Sequence, residues 1–388
     1  MQYFFECGHF VSLSIAELSA VLESYNISKD SLNKVSDTVV LVESNDVTPA
    51  LADRIFNRLG GFVRYGEVVE DLDSFLKPYY EGDRVVFGIS SIGDTDISVK
   101  DIQKLSNDIK RNFKKANISS RFLLPKKDEL NAAQIINNDM LEKGFELCIF
   151  DTSLGRLYGK TRAIQNIDAF IKRDIDKPST DFDMGVLPQK LARIMCNLTA
   201  LRDGIIWDPF CGSGTVLMEA AVLGFDVLGS DIDVGALQTT KKNLEWLAKE
   251  GMINETMHNI FHLDISDTKK KKIKELKDTG IKAVVCEPFM GPPQRHVLSV
   301  NRLDEILGNI VPLYEDFFKV MEEVGSEGFK VVLVVPSYKT KKGWATFSLN
   351  DIIGKRWDIL NGEYSSEDLK WSRINSIITR NIFILSKR

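Results

Sequence analysis

The stretch Trp207-Asp208-Pro209-Phe210-Cys211-Gly212-Ser213-Gly214-Thr215 constrains the fold of this chain more than any other. It follows a short apolar run at 204–207 that reads as a buried strand. It precedes a run at 216–223 that reads as a helix ended by Gly224. A Gly-Ser-Gly turn between a strand and a helix lets the backbone approach a ligand closely, because no Cβ intervenes. The first turn of the helix also offers unpaired N–H groups. The residue types argue against two kinds of phosphate ligand. A Walker-type loop needs a Lys before its Ser or Thr, and this turn has none. A dinucleotide turn needs a third Gly where Leu217 stands, which disfavours a nicotinamide oxidoreductase.

Asp208 at the opening of the turn is a poor neighbour for phosphate and a good one for a ligand that carries an amino group. The following strand, at 225–230, leads into Asp231-Ile232-Asp233. An acid at that place suits a ribose with free hydroxyls. A ribose joined to an amino-acid head group describes S-adenosylmethionine. The stretch resembles the nucleotide-binding motif of class I (Rossmann-like) methyltransferases. That resemblance implies cofactor contacts at Asp208, Phe210, Gly212, Gly214, Asp231, Ile232 and Asp264. Asp264 follows an expected strand at 257–263. It suits the adenine amino group, and equally a cap for a helix starting near Ser266.

From 204 onward the pattern alternates strand and helix. Strands are expected at 204–208, 225–230, 257–263, 281–286 and 328–336, with two more near 356–360 and 376–385. Seven strands with a final antiparallel pair fit a doubly wound α/β sheet, in which ligands bind at the carboxyl ends of the strands. Upstream, two small α/β units are expected, at 1–78 and 79–162, then a linker at 163–183 and the large domain at 184–388. In the first unit, Ser14-Ile15-Ala16-Glu17 reads as a capping box opening a helix, and Pro49 starts a second helix. In the second, Val99, Ile102, Leu105, Ile109, Phe113 and Ala116 recur at helical spacing. Asp128 is expected to cap the next helix. Pro188 is expected in the first turn of a helix reaching Asn197.

The whole chain carries a formal net charge of −5, which does not by itself announce a nucleic-acid binder. Between Lys100 and Lys127, however, nine basic residues face two acidic ones. Lys104, Lys110, Arg111, Lys114 and Lys115 lie mostly off the apolar face of the expected helix. A solvated face and an RNA-binding face are the two readings. The Lys269 to Lys272 run, Arg373 and Arg380 read more readily as solvated, with RNA contact as the alternative.

Three stretches together resemble one family: Gly185-Val186-Leu187-Pro188-Gln189-Lys190-Leu191-Ala192-Arg193, the Asp208 to Thr215 turn, and Gly229-Ser230-Asp231-Ile232-Asp233. The chain looks like a THUMP-domain-containing RNA methyltransferase, of the group that methylates N2 of guanosine 10 in tRNA. The resemblance implies ferredoxin-like and THUMP-like RNA-binding units before the catalytic domain, and tRNA as partner; a cytoplasmic location is expected from the lack of a spanning run or secretory pattern. The resemblance also implies an Asp/Asn-Pro-Pro-Tyr/Phe motif after the fourth strand of the large domain. There the acid and the first proline's carbonyl orient an exocyclic amine, and the aromatic ring stacks on the extruded base. This chain has Cys286-Glu287-Pro288-Phe289-Met290-Gly291-Pro292-Pro293. One alignment puts Glu287 at the acid and Met290 at the aromatic. Another puts Phe289 at the aromatic and Cys286 at the acid. Glu287, Pro288 and Phe289 are the expected catalytic residues.

No apolar run is long enough to span a bilayer, and the N-terminus lacks a secretory pattern. The five scattered cysteines argue against a disulfide framework and a zinc site. His258 and His262 read as structural or surface residues, so no metal is expected. The sequence leaves the oligomeric state open. Two rival functions share much of this pattern: a DNA amino methyltransferase, and a non-catalytic RNA-binding protein with a degenerate methyltransferase fold.

Overall fold

The computed structural model describes residues 2–179, 187–253, 258–267, 269–362 and 368–388. The Gly185-Val186 start of the first family stretch and the end of the expected linker lie outside the described residues. The chain forms two compact units, residues 1–166 and 167–388.

The first unit is built on eight strands. They are β1 (Gln2–Cys7), β2 (Leu32–Lys34), β3 (Val39–Glu43), β4 (Phe62–Val69), β5 (Arg84–Ser91), β6 (Ser119–Leu123), β7 (Gly144–Thr152) and β8 (Gly155–Ile164). They form one sheet in the order β2-β3-β1-β4-β8-β7-β5-β6. The expected divide between residues 78 and 79 therefore falls within a continuous sheet. β4 pairs antiparallel with β8, from Arg64↔Ile164 to Val69↔Tyr158, so neither half is left with an open edge at that place. Arg64 on β4 adds a buried link, donating to Glu146 on β7 at 2.5 Å and ion-paired with Glu6 on β1 at 2.6 Å.

Two expected caps are corrected. The first helix runs Val11–Ser24, so Ser14 and Glu17 sit inside it. Ser14 Oγ donates to the carbonyls of Phe10 and Gly61. The Glu17 carboxylate accepts the N–H groups of Gly60 and Gly61 at 2.8 Å. The pair caps the Gly-Gly turn after the second helix (Pro49–Arg58), not its own helix. The residue that caps the helix Ala132–Ile136 is Asn131, in a reciprocal pair with Gln134, while the Asp128 carbonyl accepts from Ser91. The basic helix Val99–Lys115 does open on a capping box, Ser98 with Asp101. It buries Ile102, Ile109 and Phe113 against Phe87 and Phe145.

The second unit contains β9 (Ile205–Asp208), β10 (Asp226–Asp231), β11 (His258–His262), β12 (Ile281–Cys286), β13 (Lys330–Thr340), β14 (Gly343–Ala345), β15 (Trp357–Ile359), β16 (Lys370–Trp371) and β17 (Ile378–Lys387). The main sheet runs β11-β10-β9-β12-β13-β17-β15. The first five of these are parallel, and β17 and β15 close the sheet antiparallel. This is the expected Rossmann-like sheet of class I methyltransferases. The chain order turns back between β9 and β12, the place at whose carboxyl ends doubly wound sheets bind ligands. Asp208, Asp231 and Glu287 all stand on that edge.

The expected linker contains a helix, Ile167–Ile175. Its Arg173 and the Arg193 of helix Gln189–Asn197 converge on Glu219, which is fully buried on helix Thr215–Val222. The Nε atoms donate at 2.5 and 2.7 Å, and the Phe170 ring lies 4.8 Å from each guanidinium carbon. Among the described residues no helix is long and apolar enough to cross a membrane.

Candidate active site

The sequence of the glycine turn explains its shape. Gly212 and Gly214 take positive φ of 50° and 83°, which a side chain would oppose. Thr240 and Asn243, on helix Val234–Lys249, receive the turn. Thr240 Oγ1 donates to the Gly212 carbonyl at 2.7 Å, and Asn243 Nδ2 to the Ser213 carbonyl at 2.9 Å. A Cβ at Gly214 would lie 2.9 Å from the Thr240 methyl. Leu217, the residue that excludes a dinucleotide turn, is fully buried against β10 at Gly229, where a Cβ would clash with it.

Asp208 is buried at the end of β9, and one of its oxygens accepts the Phe210 N–H at 3.0 Å. Burial holds its carboxyl well above the usual carboxylate range, and the charges of Asp231 and Glu287 push it the same way. The three acids thus share one electrostatic environment. Asp231 accepts Gly212 N–H on one oxygen at 2.8 Å and Asp233 N–H on the other at 2.9 Å. Each oxygen keeps a second lone pair, as a ribose diol requires. Ile232 is 62% exposed beside it, and its carbonyl lies 3.1 Å from His262 Nε2. The Phe210 ring packs on Phe317 in the core, at 5.9 Å between centroids, while its backbone N–H faces Asp208. Asp264 accepts both the N–H and the hydroxyl of Ser266, which lowers its carboxyl. No helix begins at Ser266; the next starts at Lys270.

In the loop after β12, Cys286 ends the strand fully buried. Glu287 is the first residue beyond it, and Phe289 is 58% exposed. The Met290 carbonyl accepts the buried Tyr338 hydroxyl at 2.6 Å, and Gly291 turns the chain at φ 79°. Of the residues that the two alignments place at the acid, Cys286 is sealed in the core while Glu287 lies just beyond the strand. Arg380, read from sequence as solvated, is not. Its Nε donates to Glu287 Oε1 at 2.5 Å and its Nη2 to Oε2 at 3.3 Å. Burial raises the Glu287 carboxyl and Arg380 opposes the rise. No local signal could have revealed a partner so far along the chain.

The family model described as the RMKL-like methyltransferase domain matches residues 179–288, which include the turn, Asp231 and Glu287. The tRNA (guanine(10)-N2)-dimethyltransferase of Methanothermobacter thermautotrophicus is 28% identical over 182 residues, 46% of this chain and 44% of that one. That of Methanocaldococcus jannaschii is 31% identical over 131 residues, 34% of this chain and 36% of that one. The "Probable tRNA (guanine(10)-N2)-dimethyltransferase" of Methanothermococcus thermolithotrophicus is 30% identical over 31% of this chain and 73% of its own length. This chain belongs to the tRNA guanine-N2 methyltransferase family. The matched region spans less than half the length of the first two relatives.

Lys104, Lys110, Arg111, Lys114 and Lys115 are all exposed on the first unit. Lys110 lies over the Phe122 ring at 5.5 Å and Arg111 pairs with Asp108 at 2.8 Å. Lys104, Lys114 and Lys115 make no ion pair with another described residue. Among the described residues no group of three or more His, Cys, Asp and Glu side chains is arranged to hold a metal. The five cysteines are buried, and no two of them form a disulfide.

Proposed function

We propose that this chain is an S-adenosylmethionine-dependent methyltransferase acting on the exocyclic N2 amine of a guanine in tRNA. The observation that carries the reading is the meeting of Asp208, Asp231 and Glu287 on one sheet edge beside the Gly212–Gly214 turn. Three acids around a glycine turn fit a ligand with two positive charges and a diol better than they fit a phosphate.

Asp208 and the turn would hold the methionine end, Asp231 the ribose, and Ile232 and Asp264 the adenine. When bound, S-adenosylmethionine supplies a methyl group already activated on a sulfonium. The protein's own work is then positioning. An amine conjugated to a purine is a poor nucleophile, because its lone pair is shared with the ring. Glu287 and the Pro288 carbonyl accept its two hydrogens and turn the lone pair outward, and Phe289 stacks on the extruded base. The basic helix Val99–Lys115 contacts the RNA backbone, and the unit that carries it does the work of a THUMP domain. Such a protein would act in the cytoplasm, where tRNA is modified.

The test is a transfer assay with labelled S-adenosylmethionine and unmodified total tRNA, with digested nucleosides read by mass. N2-methylguanosine that disappears in Glu287→Gln supports the reading. Binding of both ligands without transfer would favour the non-catalytic RNA-binding protein. Transfer to duplex DNA in preference to tRNA would favour the DNA methyltransferase. Lys110→Glu with Lys114→Glu should weaken tRNA binding and flatten its salt dependence. An unchanged salt slope would remove the helix from the interface.

A further inference from the structure

Glu287 is longer by one methylene than the acid the family motif carries at that place. An unrestrained glutamate swings through three side-chain torsions, so its carboxylate has no fixed place from which to orient an amine. The structure supplies the restraint from a distant strand. Arg380 lies on β17, paired with Pro336 of β13 on one side and Trp371 of β16 on the other. Its fork meets both Glu287 oxygens, with both side chains largely buried. Tyr338, two residues beyond Pro336 and on the same face of β13, holds the Met290 carbonyl. The loop is therefore tied on each side of Phe289, at Glu287 by Arg380 and at Met290 by Tyr338.

We propose that Arg380 is the positioning residue of the site: its guanidinium fork fixes the reach and direction of the Glu287 carboxylate and so lets a glutamate do the work of a shorter acid. This rests on Glu287 being the group that accepts the amine hydrogens. The fork uses one lone pair on each carboxylate oxygen and leaves the other, so a clamped Glu287 can still accept. A lysine would restore the charge but not the two-point grip, because an ammonium is a point charge on a flexible stem. Arg380 touches no reacting atom; it acts through Glu287.

The experiment compares wild type with Arg380→Gln, Arg380→Lys, Glu287→Asp and the Glu287→Asp, Arg380→Gln double variant, all as full chains. Arg380→Gln should lower kcat by about 100-fold, the usual scale for a displaced group at a reacting centre. The KM for tRNA and the Kd for S-adenosylmethionine should stay within about twofold. Without its partner a buried carboxylate is harder to ionise, so the acid limb of the pH profile should move to higher pH. Arg380→Lys should return that limb toward wild type while kcat stays low. Glu287→Asp withdraws the carboxylate from the fork, so the double variant should be no slower than the slower single variant. Cofactor affinity and melting temperature identify a variant that has merely failed to fold.

A second readout does not depend on turnover. The carboxyl carbon-13 signal of Glu287, assigned by its loss in Glu287→Gln, should titrate at higher pH in Arg380→Gln. An unmoved signal, or wild-type kcat in Arg380→Gln, overturns the proposal. So does a rise in KM for tRNA with unchanged kcat, which would make Arg380 an RNA contact. A wild-type protein that transfers no methyl group counts against the functional reading, while the carbon-13 titration still decides the clamp.

Discussion

Replacing Glu219 by Gln should be among the most damaging isosteric changes in the second unit. Its carboxylate is fully buried, and the side chains of Arg173 and Arg193 that converge on it are 4% and 8% exposed. Glutamine keeps the shape but removes the charge that Glu219 sets between two buried guanidiniums, and it turns an N–H₂ group toward N–H donors. Breaking a buried pair by removing one partner costs about 3–5 kcal/mol, mostly as the penalty of the charges left behind. For a unit the size of residues 167–388, each kcal/mol shifts the melting temperature by roughly 2–4 °C. The expected drop is therefore roughly 6–20 °C, read by calorimetry on the full chain with the transition of the first unit as internal reference. Helix Thr215–Val222 begins at Gly214, so S-adenosylmethionine affinity should fall as well. Exchanging all three charged residues for apolar ones of similar volume should recover much of the loss. A shift below about 2 °C in Glu219→Gln would refute the argument that this ion triad holds the cofactor helix in place.

Three further outcomes follow from the geometry. Burial raises the Asp208 carboxyl above the usual carboxylate range, and a cationic cofactor favours its ionised form. Affinity should therefore rise with pH, by at most about tenfold per unit, over the range in which Asp208 titrates in the free protein, with net proton release on binding. Calorimetry in buffers of different ionisation enthalpy reads this directly, and Asp208→Asn should abolish it; a flat wild-type response would count against Asp208 as the cationic contact. Gly214→Ala places a Cβ at φ 83° and 2.9 Å from the Thr240 methyl, so the strain of about 1–2 kcal/mol, plus the clash, should weaken cofactor binding about tenfold or more. Unchanged binding would mean that the turn rearranges freely. In the first unit, burial pushes Glu6 up to about 7 despite its contact with Arg64. A raised folded value means stability that is full at acid pH and lost as pH rises from the ordinary glutamate value toward about 7, at roughly 1.4 kcal/mol per unit. Denaturant melts should show that slope and lose it in Glu6→Gln; a slope of opposite sign would refute it.

The large sheet was legible in the sequence because its strands are short, apolar and separated by clear helix and turn signals. The strand 281–286 has the bounds the sequence predicts, and the antiparallel close at 356–360 and 376–385 is present. The cofactor turn was legible because glycine spacing reports backbone shape directly. What escaped were side-chain partnerships across long separations. Ser14 and Glu17 have the spacing of a capping box, yet Glu17 serves Gly60 and Gly61. Arg380 sits 93 positions from Glu287, and nothing near either residue announces the other. The helix Ile167–Ile175 was hidden because its exposed isoleucines (Ile167, Ile171 and Ile175) carry the apolar stripe, while the residue that anchors it is an arginine.

The order of the first sheet bears on how this chain is made. β8 is the last strand of its unit to leave the ribosome, yet it takes a central place, between β4 and β7. Until residue 164 is synthesised, β4 has only one partner, and the β7-β5-β6 sheet that carries Glu146 has no strand to join it to the sheet that carries Arg64. The first 78 residues are thus not a module to be cut out and expressed. A fragment ending there would offer an open strand edge and a half-neutralised buried arginine to whatever chain it met next. The sheet of this unit can close only once its final hairpin has been translated.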